Sequence, residues 1–218
     1  MNLAWTLKRQ GMYQEAEATN RQALAMQQQV LGHEHLHTLI SVIDLGSGLL
    51  KLGQYEESEA LFRQALVSSQ KVHGLEHPDT LTCASSLALA LQDQARKKES
   101  EEMYRELLAI KENVLGRDHP DTLISAHNLA STLASQGMLK EAEVIYRRTL
   151  ATKEDMLGHE HPSTLASVTS LAHLLADRGC YGESLALFDK ACVGCAKDIG
   201  EDHPDTRRCY KNRSVIAS

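Results

Sequence analysis

The chain repeats itself at an interval of 42 residues, and this repeat limits the folds it can adopt. A histidine, followed by proline in all copies but the first, stands at His35, His77, His119, His161 and His203. Two further series keep the same interval: Gly11, Gly53, Ala95, Gly137 and Gly179, and Gly32, Gly74, Gly116, Gly158 and Gly200. A fixed period of this length predicts stacked supersecondary units that bury their apolar faces against one another.

The fourth copy of the repeat shows how one interval codes for two helices. After Pro120, apolar residues recur at spacings of three and four, which is the pattern of an amphipathic helix. Pro120, Asp121 and Thr122 form a helix start signal, with short oxygen-bearing side chains available to cap free N–H groups. Gly137 ends this helix and Gly158 ends a second one, because glycine accepts the left-handed conformation. Each unit is therefore predicted to be an antiparallel helix pair.

The same pattern divides the whole chain and predicts a single all-α array over residues 1–218. The units are about 1–34 (partial), 35–76, 77–118, 119–160 and 161–202, followed by a terminal helix at 203–218. The predicted helices are 1–10, 12–30, 37–52, 54–73, 79–94, 96–115, 121–136, 138–157, 163–178, 180–199 and 205–216.

Composition excludes several classes of function. The net charge of −6 and the lack of a basic stripe argue against a nucleic-acid partner. The sequence contains no run of 18 apolar residues, so no membrane span is predicted. No signal peptide is recognisable at the start. Five irregularly spaced cysteines are typical of reduced thiols, so a cytoplasmic location is expected.

A finer pattern within each helix pair resembles the tetratricopeptide repeat. In the fourth copy it is carried by Leu129-Ala130, Leu133, Gly137, Ala142, Tyr146 and Thr149. The usual period of that repeat is about 34 residues. The longer period here, with the connector LG-x-x-HP-x-TL and the turn Q-G-x-Y-x-E-A-E, is similar to the kinesin light chain repeat.

This resemblance implies a right-handed α-solenoid whose concave wall is built from the first helix of each pair and binds extended or helical peptides. The wall residues it implies are Asp44, Ser47, Lys51, Ser85, Ser86, Leu89, His127, Asn128, Ser131, Thr169, Ser170 and His173. Asn128 best matches an asparagine of the light chain, and its amide can pair with a peptide backbone. Basic residues other than Lys51 are nearly absent from the wall, so a neutral or mildly basic ligand is expected.

Two clusters of metal-ligating residue types have simpler interpretations. His33, His35 and His37 alternate like zinc ligands, but His35 belongs to the repeated series, which favours a structural role in the connector. Cys192 and Cys195 form a C-x-x-C, with Cys180 and Cys209 as further candidate ligands, yet the pair falls late in a predicted helix. We therefore expect core or surface thiols there, and no metal or other cofactor.

Arginines also follow the repeat, at Arg21, Arg63, Arg105 and Arg147. They form either a ladder for an anionic partner or, as we favour, ion pairs with glutamates four residues earlier. No nucleophile with an adjacent base, no paired carboxylates and no phosphate-binding glycine loop stand out from the repeat. The chain is therefore not expected to be an enzyme.

The two ends and the third turn depart from the pattern. Arg207 and Arg213 replace apolar stacking residues, which predicts a solvated C-terminal capping helix. Met1, Leu3 and Leu7 enter in mid-helix, which predicts an N-terminal end that self-associates or continues a longer array. Ala95 occupies a glycine position, so that turn is expected either to differ in geometry or to be softer.

Two functions follow from the sequence. The first is a cytoplasmic scaffold that binds a peptide segment of a partner protein on the concave wall. The alternative is a structural or self-assembly module of a larger cytosolic signalling or motor-adaptor protein. Loss of binding on substitution of Asn128 and Ser131 would separate the first function from the second.

Overall fold

The computed structural model describes residues 12–217, and this part of the chain forms ten α-helices. They are α1 (Tyr13–Leu31), α2 (Leu36–Lys51), α3 (Tyr55–His73), α4 (Pro78–Asp93), α5 (Lys97–Val114), α6 (Pro120–Ser135), α7 (Leu139–Leu157), α8 (Pro162–Asp177), α9 (Tyr181–Ile199) and α10 (Pro204–Ala217). The all-helical prediction is confirmed, and the predicted bounds of these ten helices differ from the observed ones by at most one residue at either end. The predicted helix 1–10 lies outside the described residues. Among residues 12–217, no helix combines the length and apolarity that a membrane crossing requires.

The chain divides into two compact units, residues 1–116 and 117–218, and each is described by itself. In the first unit, each of the helices α1 to α5 packs on the next, and the first helices of two successive pairs, α2 and α4, are also in contact. In the second unit, α6 to α10 pack in the same sequential way. Whether residues 1–218 form one continuous array stays a prediction.

The repeated histidines cap the first helix of each pair. The Nδ1 atoms of His35, His77, His119 and His161 accept hydrogen bonds from the backbone N–H two residues later, at 3.1–3.3 Å. The expected structural role is therefore confirmed, but the prediction that Asp121 and Thr122 supply the cap was wrong. Because proline occupies the first helical position, the cap position falls on the residue before it.

The threonine three residues after each capping histidine connects the helix to the preceding one. Thr38 Oγ1 donates to the carbonyl oxygen of Gly32 at 2.8 Å, and Thr164 Oγ1 donates to that of Lys153 at 3.4 Å. These threonines are fully buried, so their hydroxyls need a partner inside the protein. The connector is thereby held at both its histidine and its threonine.

The turn inside each pair uses one left-handed residue. Gly137 has φ of 82°, and its neighbour Met138 donates from its N–H to the carbonyl of Leu133 at 3.0 Å. Ala95 adopts the same conformation with φ of 60°, and Arg96 N–H reaches the carbonyl of Leu91 at 2.9 Å. The expectation of a different geometry was therefore wrong, and alanine holds a conformation that costs a residue with a Cβ about 1 kcal/mol.

A ring on the second helices α3, α7 and α9 fills the space next to the first helix of the same pair. Phe62 is fully buried, and a Cβ added to Gly46 would approach its ring at 2.5 Å. The close approach of α2 and α3 is reinforced by Ser58, whose Oγ donates to the carbonyl of Gly46 at 2.9 Å. In the second unit Ser184 makes the same bond to Ala172 at 2.7 Å, beside buried Phe188. These crossings require small residues on the first helix.

The repeated arginines form the ion pairs that we favoured. Arg21, Arg63, Arg105 and Arg147 pair with the glutamate four residues earlier at 2.7–2.9 Å. Arg21 also pairs with Glu57 at 2.6 Å, and Arg147 with Glu183 at 2.8 Å, so that each links two successive second helices of its unit. The arginine of each pair is exposed to solvent, so the pairs contribute modestly to stability.

The last helix has the predicted solvated face. Arg207 is exposed and pairs with Asp202 at 2.8 Å, and Arg213 pairs with Asp189 of α9. Thr206 and Cys209 form its buried side. The self-association predicted at Met1, Leu3 and Leu7 concerns residues outside the described part of the chain.

Candidate peptide-binding site

In the first unit, the wall residues lie on two helices that contact each other, α2 and α4. Ser47, Lys51 and Leu89 are exposed, and the remaining three are half-buried: Asp44, Ser85 and Ser86. The serine hydroxyls donate to their own helix, Ser85 to the carbonyl of Leu81 at 2.9 Å and Ser86 to that of Thr82 at 3.0 Å. Their oxygen lone pairs therefore remain as acceptors toward a ligand.

In the second unit, the wall residues lie on α6 and α8. Thr169 and Ser170 donate to the carbonyls of Leu165 and Ala166 at 3.0 and 3.1 Å, which again leaves oxygen acceptors on the surface. His173 is exposed, whereas Asn128 and Ser131 are half-buried. All twelve predicted residues therefore have some solvent access, but whether they contact a peptide stays a prediction.

His127 differs from the other wall residues because it belongs to a buried polar cluster. Its ring packs edge-on against Tyr146 of α7, with 5.2 Å between the ring centroids. Its Nδ1 atom is buried and has no hydrogen-bond partner among the described residues. Burial, together with the positive charge of Lys153, lowers the pKa of His127 to about 4. The imidazole is therefore neutral at physiological pH.

Lys153 is the cation of this cluster, and the sequence analysis did not single it out. It lies on α7, and only 8% of its surface is exposed. Its Nζ donates to Ser167 Oγ of α8 at 2.8 Å, and burial lowers the pKa of the ammonium. The recurrence of lysine 42 residues earlier, at Lys111, was the sequence signal that could have revealed this position, since Lys111 is also buried.

A cavity of about 480 Å³ lies between α8, α9 and α10 of the second unit. Thr169 and Ser170 line it, and α10 adds Arg208, Cys209 and Asn212. Leu165 forms part of its apolar lining, and Asp198 adds an acidic group to the same cavity. A cavity with apolar walls and a few convergent polar groups is the usual form of a ligand pocket.

Asn212 is the residue of this cavity that sequence reasoning missed. It stands two repeat intervals after Asn128, the asparagine that matched the light chain best. Its Nδ2 donates to Nε2 of His173 at 3.1 Å, so the amide is held in one orientation. Burial lowers the pKa of His173, and a neutral ring is the form that can accept this bond. The sequence analysis interpreted the terminal helix only as a cap, so it did not recognise that Asn212 occupies the same repeat position as Asn128.

No group of three or more histidine, cysteine or carboxylate side chains suited to a metal ion occurs in residues 12–217. His35 of the alternating cluster is the N-cap of α2. Cys192 lies against Cys209 of α10, with 2.8 Å between the sulfur atoms. The contacts of His35 and Cys192 thus place them in structural positions of the repeat.

Comparison with known proteins gives matches that agree with this geometry. One tetratricopeptide repeat model matches residues 1–66, 40–113 and 98–155, and a second tetratricopeptide repeat model matches residues 164–205. No curated protein matches the sequence.

Solved structures show the same likeness. The nearly identical TPR-like repeats attributed to a kinesin light chain of Podosopora anserina are 30% identical, with a TM-score of 0.74 over 90% of this chain and 93% of that chain. BtubC (BKLC) of P. vanneervenii shares the fold at 16% identity, with a TM-score of 0.81 over 94% of this chain and 82% of the other. A Rap protein in complex with Competence and Sporulation Factor shares it at 16% identity, with a TM-score of 0.73 over 98% of this chain and 62% of that one.

Proposed function

Because the chain belongs to the tetratricopeptide repeat family, whose domains generally act as protein-interaction modules, we propose that it is a non-enzymatic scaffold that binds a peptide segment of a partner protein. Within a unit, the ligand lies along the first helices of the pairs, on the residues named above for that unit. A cytoplasmic location fits this function and stays a prediction from the sequence.

The observation that carries this proposal is the cavity between α8, α9 and α10. It brings Thr169 and Ser170, which were predicted from the resemblance, next to Asn212 and Arg208 of the last helix. Hydroxyl acceptors, an oriented amide and an apolar floor are the groups needed to hold a peptide backbone together with one apolar side chain. Fold relatives support the same use, since one solved Rap structure holds Competence and Sporulation Factor and another holds the Phr* peptide.

The charges within the cavity bear on the class of peptide. Arg208 and Asp198 line the same space, so neither sign of charge dominates there. A ligand with a high net charge of either sign would meet one like charge in this pocket. A neutral or mildly basic peptide therefore remains the ligand we propose.

A displayed peptide library provides a direct test. The library is selected on the wild-type chain and then measured against Ser170→Leu, whose side chain fills the cavity, and Ala186→Leu, an exposed position on α9, as matched control. We expect enriched peptides that bind the wild type and the control but lose at least tenfold in affinity with Ser170→Leu. Equal binding to all three chains, at equal helicity, would contradict the cavity as the site.

The alternative function, a structural or self-assembly module, has one observation in its favour. The second helices of the first unit end in exposed apolar residues that recur at the repeat interval, Val30, Val72 and Val114, and Val30 is 77% exposed. Exposed apolar groups in register are typical of surfaces that bind another protein. Light scattering over a concentration series, with Val30→Lys and Val72→Lys as variants, tests this. A mass that stays monomeric throughout argues against self-assembly.

A further inference from the structure

Two cysteines from different helices meet in the interior of the second unit. Cys192 of α9 and Cys209 of α10 have 1% and 5% of their surface exposed, and their sulfur atoms lie 2.8 Å apart. A disulfide bond is about 2.0 Å long, so a shift of less than 1 Å joins them. The pair comes from sequence positions that carry no common motif, and only the packing of α9 on α10 brings them together.

The cavity described above gives a reagent access to one member of this pair. Cys209 and Cys195 line the cavity, whereas Cys192 does not. A small molecule inside it therefore meets Cys209 and not Cys192, and the Cys192 sulfur is already in contact with that of Cys209. This order of access is what a two-step thiol–disulfide exchange requires.

We propose that Cys192 and Cys209 form an intrachain disulfide by exchange with a small organic disulfide, which fastens α10 to α9. The Cys209 thiolate attacks one sulfur of the reagent, forming a mixed disulfide and releasing the first small thiol. The Cys192 thiolate then attacks the Cys209 sulfur and releases the second small thiol. The two protons lost by the cysteines end on the two released thiols, and the reagent takes up the two electrons.

The C-x-x-C motif points to a different pair, and the geometry argues against that pair. Cys192 and Cys195 follow one another along the same helix, α9, while the Cys192 sulfur is directed at Cys209. A disulfide needs two sulfur atoms that lie close together, and the α9–α10 contact supplies this for Cys192 and Cys209. Cys195 is half-buried, which makes it the natural control position.

Burial affects the rate of this exchange. It raises the pKa of Cys192, and burial together with Cys192 raises the pKa of Cys209, so the thiolate fraction of both is small at neutral pH. The exchange is therefore slow near neutral pH and becomes faster as the pH rises. Proximity of the second thiol then makes the final step intramolecular, and the mixed disulfide does not accumulate.

The bond would act on the last helix of the second unit. Arg213 with Asp189, and the buried side that contains Thr206 and Cys209, hold α10 against α9. A crosslink between residues 192 and 209 closes a short loop and removes the open states in which α10 leaves α9. This inference is independent of the proposed peptide binding.

The test uses the folded wild-type chain and hydroxyethyl disulfide as the reagent. The chain is first reduced, then incubated with the reagent, alkylated and digested for peptide mapping by mass spectrometry. We expect the loss of two hydrogens and a crosslinked peptide pair that contains Cys192 and Cys209. Hydrogen exchange in residues 204–217 should then slow by roughly tenfold or more relative to the reduced chain.

Three variants sharpen the outcome. Cys195→Ser should form the same crosslink as the wild type, while Cys192→Ser should stop at a mixed disulfide on Cys209 and Cys209→Ser should form no crosslink to α10. Circular dichroism checks that each variant keeps its helicity, and the wild-type result does not depend on any of them. A Cys192–Cys195 crosslink, mixed disulfides alone in the wild type, or oxidation only after unfolding in urea would overturn the proposal.

Discussion

The ammonium of Lys153 donates a 2.8 Å hydrogen bond to the hydroxyl of Ser167, and the described residues offer it no carboxylate. A buried charge with one neutral acceptor is not fully compensated for the water that it has lost. The buried ammonium of Lys153 is therefore expected to lower the stability of the fold. Replacing it with an uncharged side chain of similar shape should not lower the free energy of unfolding.

Substitution of Lys153 by methionine, which is close in shape and uncharged, should leave the free energy of unfolding unchanged or raise it by about 1–2 kcal/mol. Urea unfolding monitored by circular dichroism measures this. Lys153→Ala serves as the comparison, because it also leaves a cavity and should lower the stability. A loss of more than about 2 kcal/mol in the methionine variant would mean that the charge itself stabilises the unit.

The titration of His127 should make stability depend on pH in a defined window. Its pKa is about 4 in the folded chain, against about 6.5 when unfolded. Between these values the unfolded chain binds more protons, so stability is complete above pH 6.5 and is lost as the pH falls toward 4. The loss attributable to this half-buried ring is at most about 3 kcal/mol.

Urea midpoints at pH 7 and pH 5 measure the effect of His127. His127→Leu should show a smaller difference between the two pH values than the wild type, while the exposed His33→Ala should keep the wild-type difference. Lys153→Met should also raise the pKa of His127, which NMR of the imidazole can follow. An unchanged pKa in that variant would show that the positive charge of Lys153 does not act on the ring.

Replacement of Ala95 by glycine should stabilise the turn between α4 and α5. Ala95 has φ of 60°, and its Cβ makes that conformation cost about 1 kcal/mol, part of which is offset by the greater freedom of glycine when unfolded. The expected gain is a few tenths of a kcal/mol up to about 1 kcal/mol in chemical unfolding. Gly137→Ala is the reciprocal variant and should lose stability; a gain there would contradict the strain argument.

The histidine caps should be replaceable by another acceptor but not by alanine. His161 Nδ1 accepts from the N–H of Ser163 at 3.1 Å, so His161→Ala leaves that donor without its side-chain partner and should cost about 1 kcal/mol. His161→Asn keeps an acceptor at the cap and should retain most of the stability. If both variants lose equally, the ring matters through its packing and not through the cap.

The helices could be predicted because their signals are local. Proline after His119, glycine at Gly137 and the apolar spacing between them act within a few residues, and the structure ends its helices there. The capping atom was misassigned, since the sequence shows which residues are near a helix start but not which lone pair faces the N–H groups. That choice depends on side-chain direction.

The candidate site was predictable only where it follows the repeat register. Thr169 and Ser170 were found because they share a register with His127 and Asn128, and Asn212 could have been found in the same way. The contact of Cys192 with Cys209 could not, because it depends on how α9 packs against α10. The burial of Lys153 likewise arises from packing between α7 and α8, which composition does not reveal.

The shared histidine cap has a consequence for how such chains can change in length. If residues 162–203 were deleted, His161 would be joined to Pro204, which recreates the same His-Pro junction and the same cap acceptor. Recombination between any two of these junctions thus inserts or removes a whole number of 42-residue units and keeps the same connector. Because each junction is capped by the same imidazole nitrogen, the number of units can change in a single recombination event.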